Sequence, residues 1–327
     1  MSGFDVTGWG VCVPERVVTS AQLAERFGVD EHWIVSRCGI RERRAVGPGQ
    51  STASMAVEAG RRALERAGLS GGDIAHLIVA TATPEQPSPA TSAFVHDELG
   101  IAGSAHDVNA ECAGFVYALV TAVALMRMDP RPVLVIGSDT HTLTADPADR
   151  DLSILVGDGA GAVVLVPGPV ERILAWNLGA DGSCKDSLKV LAGGSRMPTT
   201  AQTVARGLHY AQINGNEIYL NAVRYTVRTI RETLEQAKVE PGQVDHVVPH
   251  QANIRIINSV LAHTGIPGDR LVTNLERYGN TASASIPIAL AEALEAGRVR
   301  EGDRVLLAGF GAGMTWGSVL MTWGGTP

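Results

Sequence analysis

Two distant segments of this chain repeat one pattern, and that repetition limits the fold more than any other feature. Residues 133–166 contain VLVIG and then GDGAGAVVLV, and residues 305–323 read VLLAGFGAGMTWGSVLMTW. Each pairs a continuous apolar run with a glycine-rich stretch leading into a second run. Runs of this kind between helical patterns belong to sheets covered on both faces. Internal similarity at half the chain length points to a duplicated fold with a site between the halves. The halves divide as 1–170 and 171–327, with the join near 168–175.

Strand and helix patterns alternate through both halves, which gives an α/β architecture. In the first, strands are expected at 76–83, 106–110, 132–137 and 159–166, with helices at about 88–99 and 112–128. In the second, helices are expected at about 215–237, 253–263 and 285–297, with strands at 246–250, 270–274 and 304–311. Residues 181–214 are rich in Gly, Ser and Thr with weak periodicity, and read as an excursion over the surface that serves as a lid.

Composition removes several function classes. The chain has 327 residues, 37 of them glycine, and only five each of Phe, Trp and Tyr, so base-stacking platforms for nucleic acid are not expected. Its net charge of −7 disfavours a phosphate-backbone binder. The start MSGFDVTGWG lacks a basic region and apolar core, and no uninterrupted run of about 18 apolar residues occurs, so a cytoplasmic protein without a membrane partner is expected. Cys12, Cys38, Cys112 and Cys184 stand far apart without a CxxC pair, which leaves a lone cysteine as a candidate nucleophile.

Cys112 lies in DVNAECAGFVYAL, where a strand gives way to a helix. A thiol at a helix N-terminus faces unpaired N–H groups and the positive end of the dipole, both of which favour thiolate. Most cysteines beside an apolar helix are simply core residues. His250, in HVVPHQANIRII, closes a strand before a helix, a place suited to acid–base or hydrogen-bond work. Asn280, in RYGNTASASIP, sits between a strand and a helix, where a cap is the ordinary role. The loops GDGAGA and GFGAGM run into strand-like residues rather than a helix, so neither is a dinucleotide site. The acidic stretch SDTHTLTADPADRD lacks metal-ligand spacing and reads as a solvated loop.

Taken together, EHWIVSRCGIRERR, DVNAECAGF, DPADRDLSILVGDGAGAVVL, VPHQANIRII, RYGNTASASIP and FGAGMTWGS resemble, in order and over essentially the whole chain, the β-ketoacyl-acyl-carrier-protein synthase III family. That family includes polyketide starter-unit enzymes within the thiolase-like superfamily. The resemblance implies a duplicated α/β/α/β/α five-layer thiolase-like fold and a homodimer. It implies a catalytic triad of Cys112, His250 and Asn280, with an oxyanion hole from the amides of Cys112 and Ala312. Trp33, Arg37 and Arg150 fall where the family grips the adenine end of coenzyme A, Asn253 where it holds the pantetheine arm, and Arg255 where a carrier protein docks.

The implied reaction loads an acyl group from acyl-coenzyme A onto Cys112, then condenses it decarboxylatively with a malonyl-type carrier-protein thioester. It needs no metal or redox cofactor. Transfer to a carrier protein, hydroxyl or amine without condensation is the alternative. Several positions depart from the family's pattern. Glu111 precedes the nucleophile where a small residue is expected; strand alternation should turn its carboxylate away from the sulfur, toward a donor behind the nucleophile or at the dimer interface. Gln86 replaces an aromatic of the acyl pocket, and Leu220, Ala262 and His263 stand where carrier-dependent members show lysine. These departures point toward a specialised starter unit.

Overall fold

The computed structural model describes residues 3–324. Two sheets carry the architecture. The first runs in the order Gly3–Cys12, Asp158–Gly168, Val133–Thr140, His76–Ala80, Ser104–Val108. Its last three strands are mutually parallel, and the first two add antiparallel. The second sheet runs His246–Pro249, Arg304–Gly311, Thr315–Thr322, Ile173–Ala180, with one parallel and two antiparallel pairings where the first has two of each. All strands of the first sheet come from residues 3–168, and all of the second from 173–322.

Helices fill the three remaining layers of the thiolase-like fold. Gly114–Met128 and Ser285–Glu295 lie between the sheets and touch both, while Thr52–Ala67 covers the outer face of the first sheet and Gly215–Ala237 that of the second. The central pair is apolar all round, as a helix between two sheets must be. The 18-residue stretch Glu111–Met128 has a mean hydropathy of 1.5, enough in length and apolarity to cross a bilayer. Here it is a core helix, with Phe115, Val116, Ala118 and Ala122 sealed from solvent.

The glycine loops serve this layering. A Cβ on Gly161 would lie 2.7 Å from the Ile288 backbone nitrogen, and one on Gly137 would lie 2.5 Å from the Ser283 carbonyl oxygen. The strands can press against the Ser285–Glu295 helix only because those positions lack side chains.

Three expectations change. The segment 270–274 is not a strand: Leu271 makes a single bridge to Val247, and the Gln251 side chain replaces a ladder, donating to the Val272 carbonyl and accepting from the Thr273 hydroxyl. The strand expected over 76–83 stops at Ala80, because the next residues turn their N–H groups onto the Asp139 carboxylate. The helix expected from 88 begins at Thr91, where Asp107 accepts from the N–H groups of Thr91 and Ser92 at 2.7 Å each. The excursion 181–214 holds a short hairpin, Leu188–Val190 with Ala211–Ile213, and one short helix, Ala201–Ala205.

Candidate active site

Cys112 is placed by a break in regular structure. The strand Ser104–Val108 ends, and Glu111–Ala113 form one 3-10 turn that continues into the helix Gly114–Met128. Asn109 fixes the turn by accepting from the Glu111 N–H at 3.1 Å. Glu111 takes φ 51°, a left-handed conformation that strains a residue with a side chain. Cys112 is therefore buried at the threshold of the helix, at 6% exposure. A Cβ on Gly311 would lie 2.7 Å from the Cys112 backbone nitrogen and 2.8 Å from the Ala110 carbonyl oxygen, so only glycine fits behind the nucleophile. Gly311 and Ala312 line the same cavity as Cys112, which sets the glycine loop beside its amide.

The expected helix-terminal lowering of the thiol is overridden. Burial, then the charges of Glu111 and Asp139, push the Cys112 thiol well above its ordinary range, opposed only by its own backbone N–H. The strand-alternation premise for Glu111 is corrected with it. Strand alternation does not reach residue 111, and among the described residues its carboxylate has no hydrogen-bonding or ion-pairing partner. Burial, then Asp139, raise the Glu111 carboxyl to about 7. The acid is thus neutral below that pH and negative above it, where it opposes the thiolate.

Glu111→Gln should accordingly speed acylation of Cys112. For each unit by which the thiol falls, thiolate fraction rises about tenfold and nucleophilicity drops about threefold, a net gain of roughly threefold. Stopped acylation time courses should show that gain above pH 7 and its disappearance as the wild-type carboxyl is neutralised below it. An equal or slower variant above pH 7 would mean the carboxylate does not act on the sulfur.

His250 follows the strand His246–Pro249, and its N–H donates to the Ala308 carbonyl at 2.8 Å. Its Nδ1 lies 2.7 Å from the Ser285 hydroxyl, and its ring meets Phe310 edge-on with centroids 5.2 Å apart. Burial, then the nearby charge of His141, lower the imidazole to about 3, so the ring is neutral at physiological pH.

Asn280 sits where the two halves join. Its N–H donates to the Leu155 carbonyl at 2.8 Å, and its own carbonyl accepts from Gly157 at 2.9 Å. The side-chain Oδ1 accepts from the Ala282 N–H at 2.9 Å, which leaves Nδ2 free as a donor. Asn280 is therefore both a cap and a cavity residue. Cys112, His250, Asn280, Asn253, Arg255 and Ala312 all line one cavity of about 250 Å3. Leu188 and Ile213 of the 181–214 excursion form part of its wall.

The acidic stretch is solvated over its second part, where Pro147, Ala148 and Asp151 are exposed, but its first four residues are buried. Asp139 is fully buried and accepts from Thr81, Ala82 and Thr83 of the first half and from both the N–H and hydroxyl of Ser283 in the second. His141, two residues on, is 7% exposed and lines the catalytic cavity. Sequence reasoning missed it. The available signal was its place just past a strand end, the same kind of place that pointed to His250.

Trp33, Arg37 and Arg150 gather away from that cavity. The Trp33 ring has the Arg37 guanidinium 4.2 Å from its centroid and that of Arg150 4.7 Å. Arg37 reaches it from one helical turn on, and Arg150 from the start of the turn Arg150–Ser153, also pairing with Asp151 at 2.8 Å. Asn253 caps the helix Ile254–Thr264 by accepting from the Arg255 N–H at 2.9 Å, so its Nδ2 is also free. Arg255 is exposed over the Tyr219 ring at the cavity's mouth. Leu220, Ala262 and His263 are exposed on the neighbouring helices, and Gln86 is exposed with its amide on the Ser88 carbonyl.

Residues 106–182 match the family described as 3-oxoacyl-[acyl-carrier-protein (ACP)] synthase III, and residues 234–323 match its C-terminal domain. The β-ketoacyl-[acyl-carrier-protein] synthase III of Roseiflexus sp. (strain RS-1) is 44% identical over 321 residues, covering 97% of this chain and 98% of the relative. The chain belongs to the 3-oxoacyl-[acyl-carrier-protein] synthase III family. Solved structures agree with that membership. The synthase III from Aquifex aeolicus VF5 superposes with a TM-score of 0.90 at 37% identity, covering 98% of this chain and 100% of that one. The priming β-ketosynthase from the R1128 polyketide biosynthetic pathway superposes with a TM-score of 0.92 at 34% identity, covering 99% and 97%. Like other synthase III proteins, this one is an acyl-transferring enzyme.

Proposed function

We propose that the chain loads an acyl group from acyl-coenzyme A onto Cys112 and condenses it with a malonyl-type thioester carried by an acyl carrier protein. The supporting observation is Asn280: its Oδ1 is held by Ala282, so its Nδ2 is a fixed donor in the same cavity as Cys112 and His250. The amides of Cys112 and Ala312 stabilise the oxyanion formed when the sulfur attacks the donor thioester. The acyl group then waits on sulfur. Asn280 Nδ2 and His250 Nε2 donate to the carbonyl of the malonyl thioester, and loss of carbon dioxide leaves an enolate held by the same donors. For Nε2 to carry the hydrogen, the Ser285 hydroxyl must give its one hydrogen to Nδ1, 2.7 Å away, rather than to the Ala282 carbonyl at 2.9 Å. The enolate carbon attacks the acyl-Cys112 carbonyl, releasing the β-ketoacyl thioester and free thiol.

A starter-unit role in a specialised pathway is favoured over housekeeping fatty-acid synthesis. It draws support from the likeness to the R1128 priming enzyme and from the exposed, uncharged Leu220 and Ala262. A homodimer is favoured because Ser104–Val108 is an edge strand, and a second copy there would satisfy its free backbone groups.

The deciding experiment combines an acyl-coenzyme A panel with a malonyl carrier protein and follows carbon dioxide and product mass. Acyl transfer without carbon dioxide would replace condensation with simple acyltransfer. The coenzyme A grip has its own test. Arg150→Ala or Trp33→Ala removes a cation–π contact and should raise KM for acyl-coenzyme A about tenfold with kcat nearly unchanged. An unchanged KM in initial-rate kinetics would place the nucleotide elsewhere.

A further inference from the structure

His141 is polar where the buried part of the cavity, the catalytic residues aside, is apolar. Apart from the triad, the buried lining side chains are the apolar Leu152, Ala252, Ile256 and Phe310. The other polar lining residues, Asn216, Tyr219, Asn253 and Arg255, are half-buried or exposed. His141 is neither: more than nine-tenths of it is buried.

No structural bond accounts for this imidazole. Its one protein contact is Nδ1 to the Asn280 carbonyl oxygen, long at 3.4 Å. The nearby Asp158 does not bond the ring, since its oxygens accept from the Val46 N–H and from the N–H and hydroxyl of Thr142. Because a carbonyl can only accept, the neutral ring that fits this contact carries its hydrogen on Nδ1 and a lone pair on Nε2. Among the described residues nothing donates to that lone pair, and His141 faces the cavity.

We propose that His141 is a specificity-determining residue whose Nε2 accepts a hydrogen bond from a hydroxyl on the acyl chain held by Cys112. A carboxylate would meet the lone pair with repulsion, and an ammonium would be stripped of water among leucines, so a neutral donor fits. Because the ring abuts Asn280, the hydroxyl lies within a few carbons of the thioester, as in a 3-hydroxyacyl group. A plain alkyl chain filling the cavity would leave that nitrogen unpaired, which is how hydrogen-bonding sites reject analogues that lack the group.

The inference rests on acyl loading at Cys112, and the test separates the two. Equimolar 3-hydroxybutyryl-coenzyme A (each enantiomer in turn) and butyryl-coenzyme A compete for the protein, and intact mass reads the adducts. The wild type should favour one hydroxyacyl enantiomer about tenfold. His141→Leu should reverse that preference, and His141→Gln, which keeps an acceptor oxygen, should retain part of it. Cys112 adducts formed without discrimination, or a hydroxyacyl preference undiminished in His141→Leu, would overturn the role of His141 while leaving the loading reaction intact. No adduct from any acyl-coenzyme A would overturn both. The wild-type ratio needs no variant to fold.

Discussion

Cys112→Ala is expected to abolish the covalent acyl adduct and lower turnover by roughly 10⁴-fold or more. The sulfur is the only thiol lining the catalytic cavity among the described residues. The alternatives are poorly placed. Cys38 is buried and donates to the Ile34 carbonyl at 3.2 Å, and burial raises both it and Cys12. Cys184 lies on the surface excursion, where Asn221 donates to its sulfur at 3.5 Å. Intact-mass analysis after incubation with acyl-coenzyme A decides the matter. An adduct persisting at full yield in the variant would remove Cys112 from the mechanism. An unchanged melting temperature should accompany the loss, because the substitution deletes a single atom beside an open cavity.

His250→Ala and Asn280→Ala should each still accept an acyl group, yet lose malonyl decarboxylation by about 10²–10³. The two donors act on one developing charge, so the double variant should fall short of the product of the single effects. Asn280→Ala has a second consequence, since it strips the Ala282 N–H of its acceptor. Asn280→Asp controls for this: it keeps an oxygen for Ala282 and replaces the Nδ2 donor with an acceptor. If Asn280→Asp decarboxylates at the wild-type rate, the amide is a cap and nothing more. Since His250 is already neutral down to a pH of about 3, its ionisation should leave no mark on the decarboxylation profile in the neutral range. An inflection that vanished in His250→Ala would show the ring to be far more solvated than its 2% exposure implies.

The architecture was legible because duplication and apolar runs are properties of the chain itself. The helix expected at 215–237 is Gly215–Ala237 in the structure, where amphipathic periodicity and local caps, Asn214 before it and a left-handed Lys238 after it, set its extent. Errors fell where a distant side chain decides the backbone. Asp139 ends the strand after Ala80, Asp107 starts the helix at Thr91, and Gln251 stands in for a ladder at Val272. Spacing does not announce such long-range partners. The same cause hid the polar side of the site. Asp139 and His141 look like members of a hydrophilic loop until the Ser283 segment folds over them. Glu111 drew attention for its charge, but its orientation depended on a left-handed turn that alternation does not predict.

The excursion over 181–214 rests on the surface, yet two of its side chains, Leu188 and Ile213, complete the cavity wall, while the reacting groups hang from strand ends and the central helix. What the enzyme accepts and what keeps it folded are thus written largely in different stretches of sequence. Substitutions in the excursion can reshape the acyl pocket at little cost to the core, because its hairpin joins neither main sheet. A lineage can therefore explore new starter groups there while Cys112, His250 and Asn280 stay under constraint, and a laboratory library confined to residues 188–213 should yield altered selectivity far more often than unfolded protein.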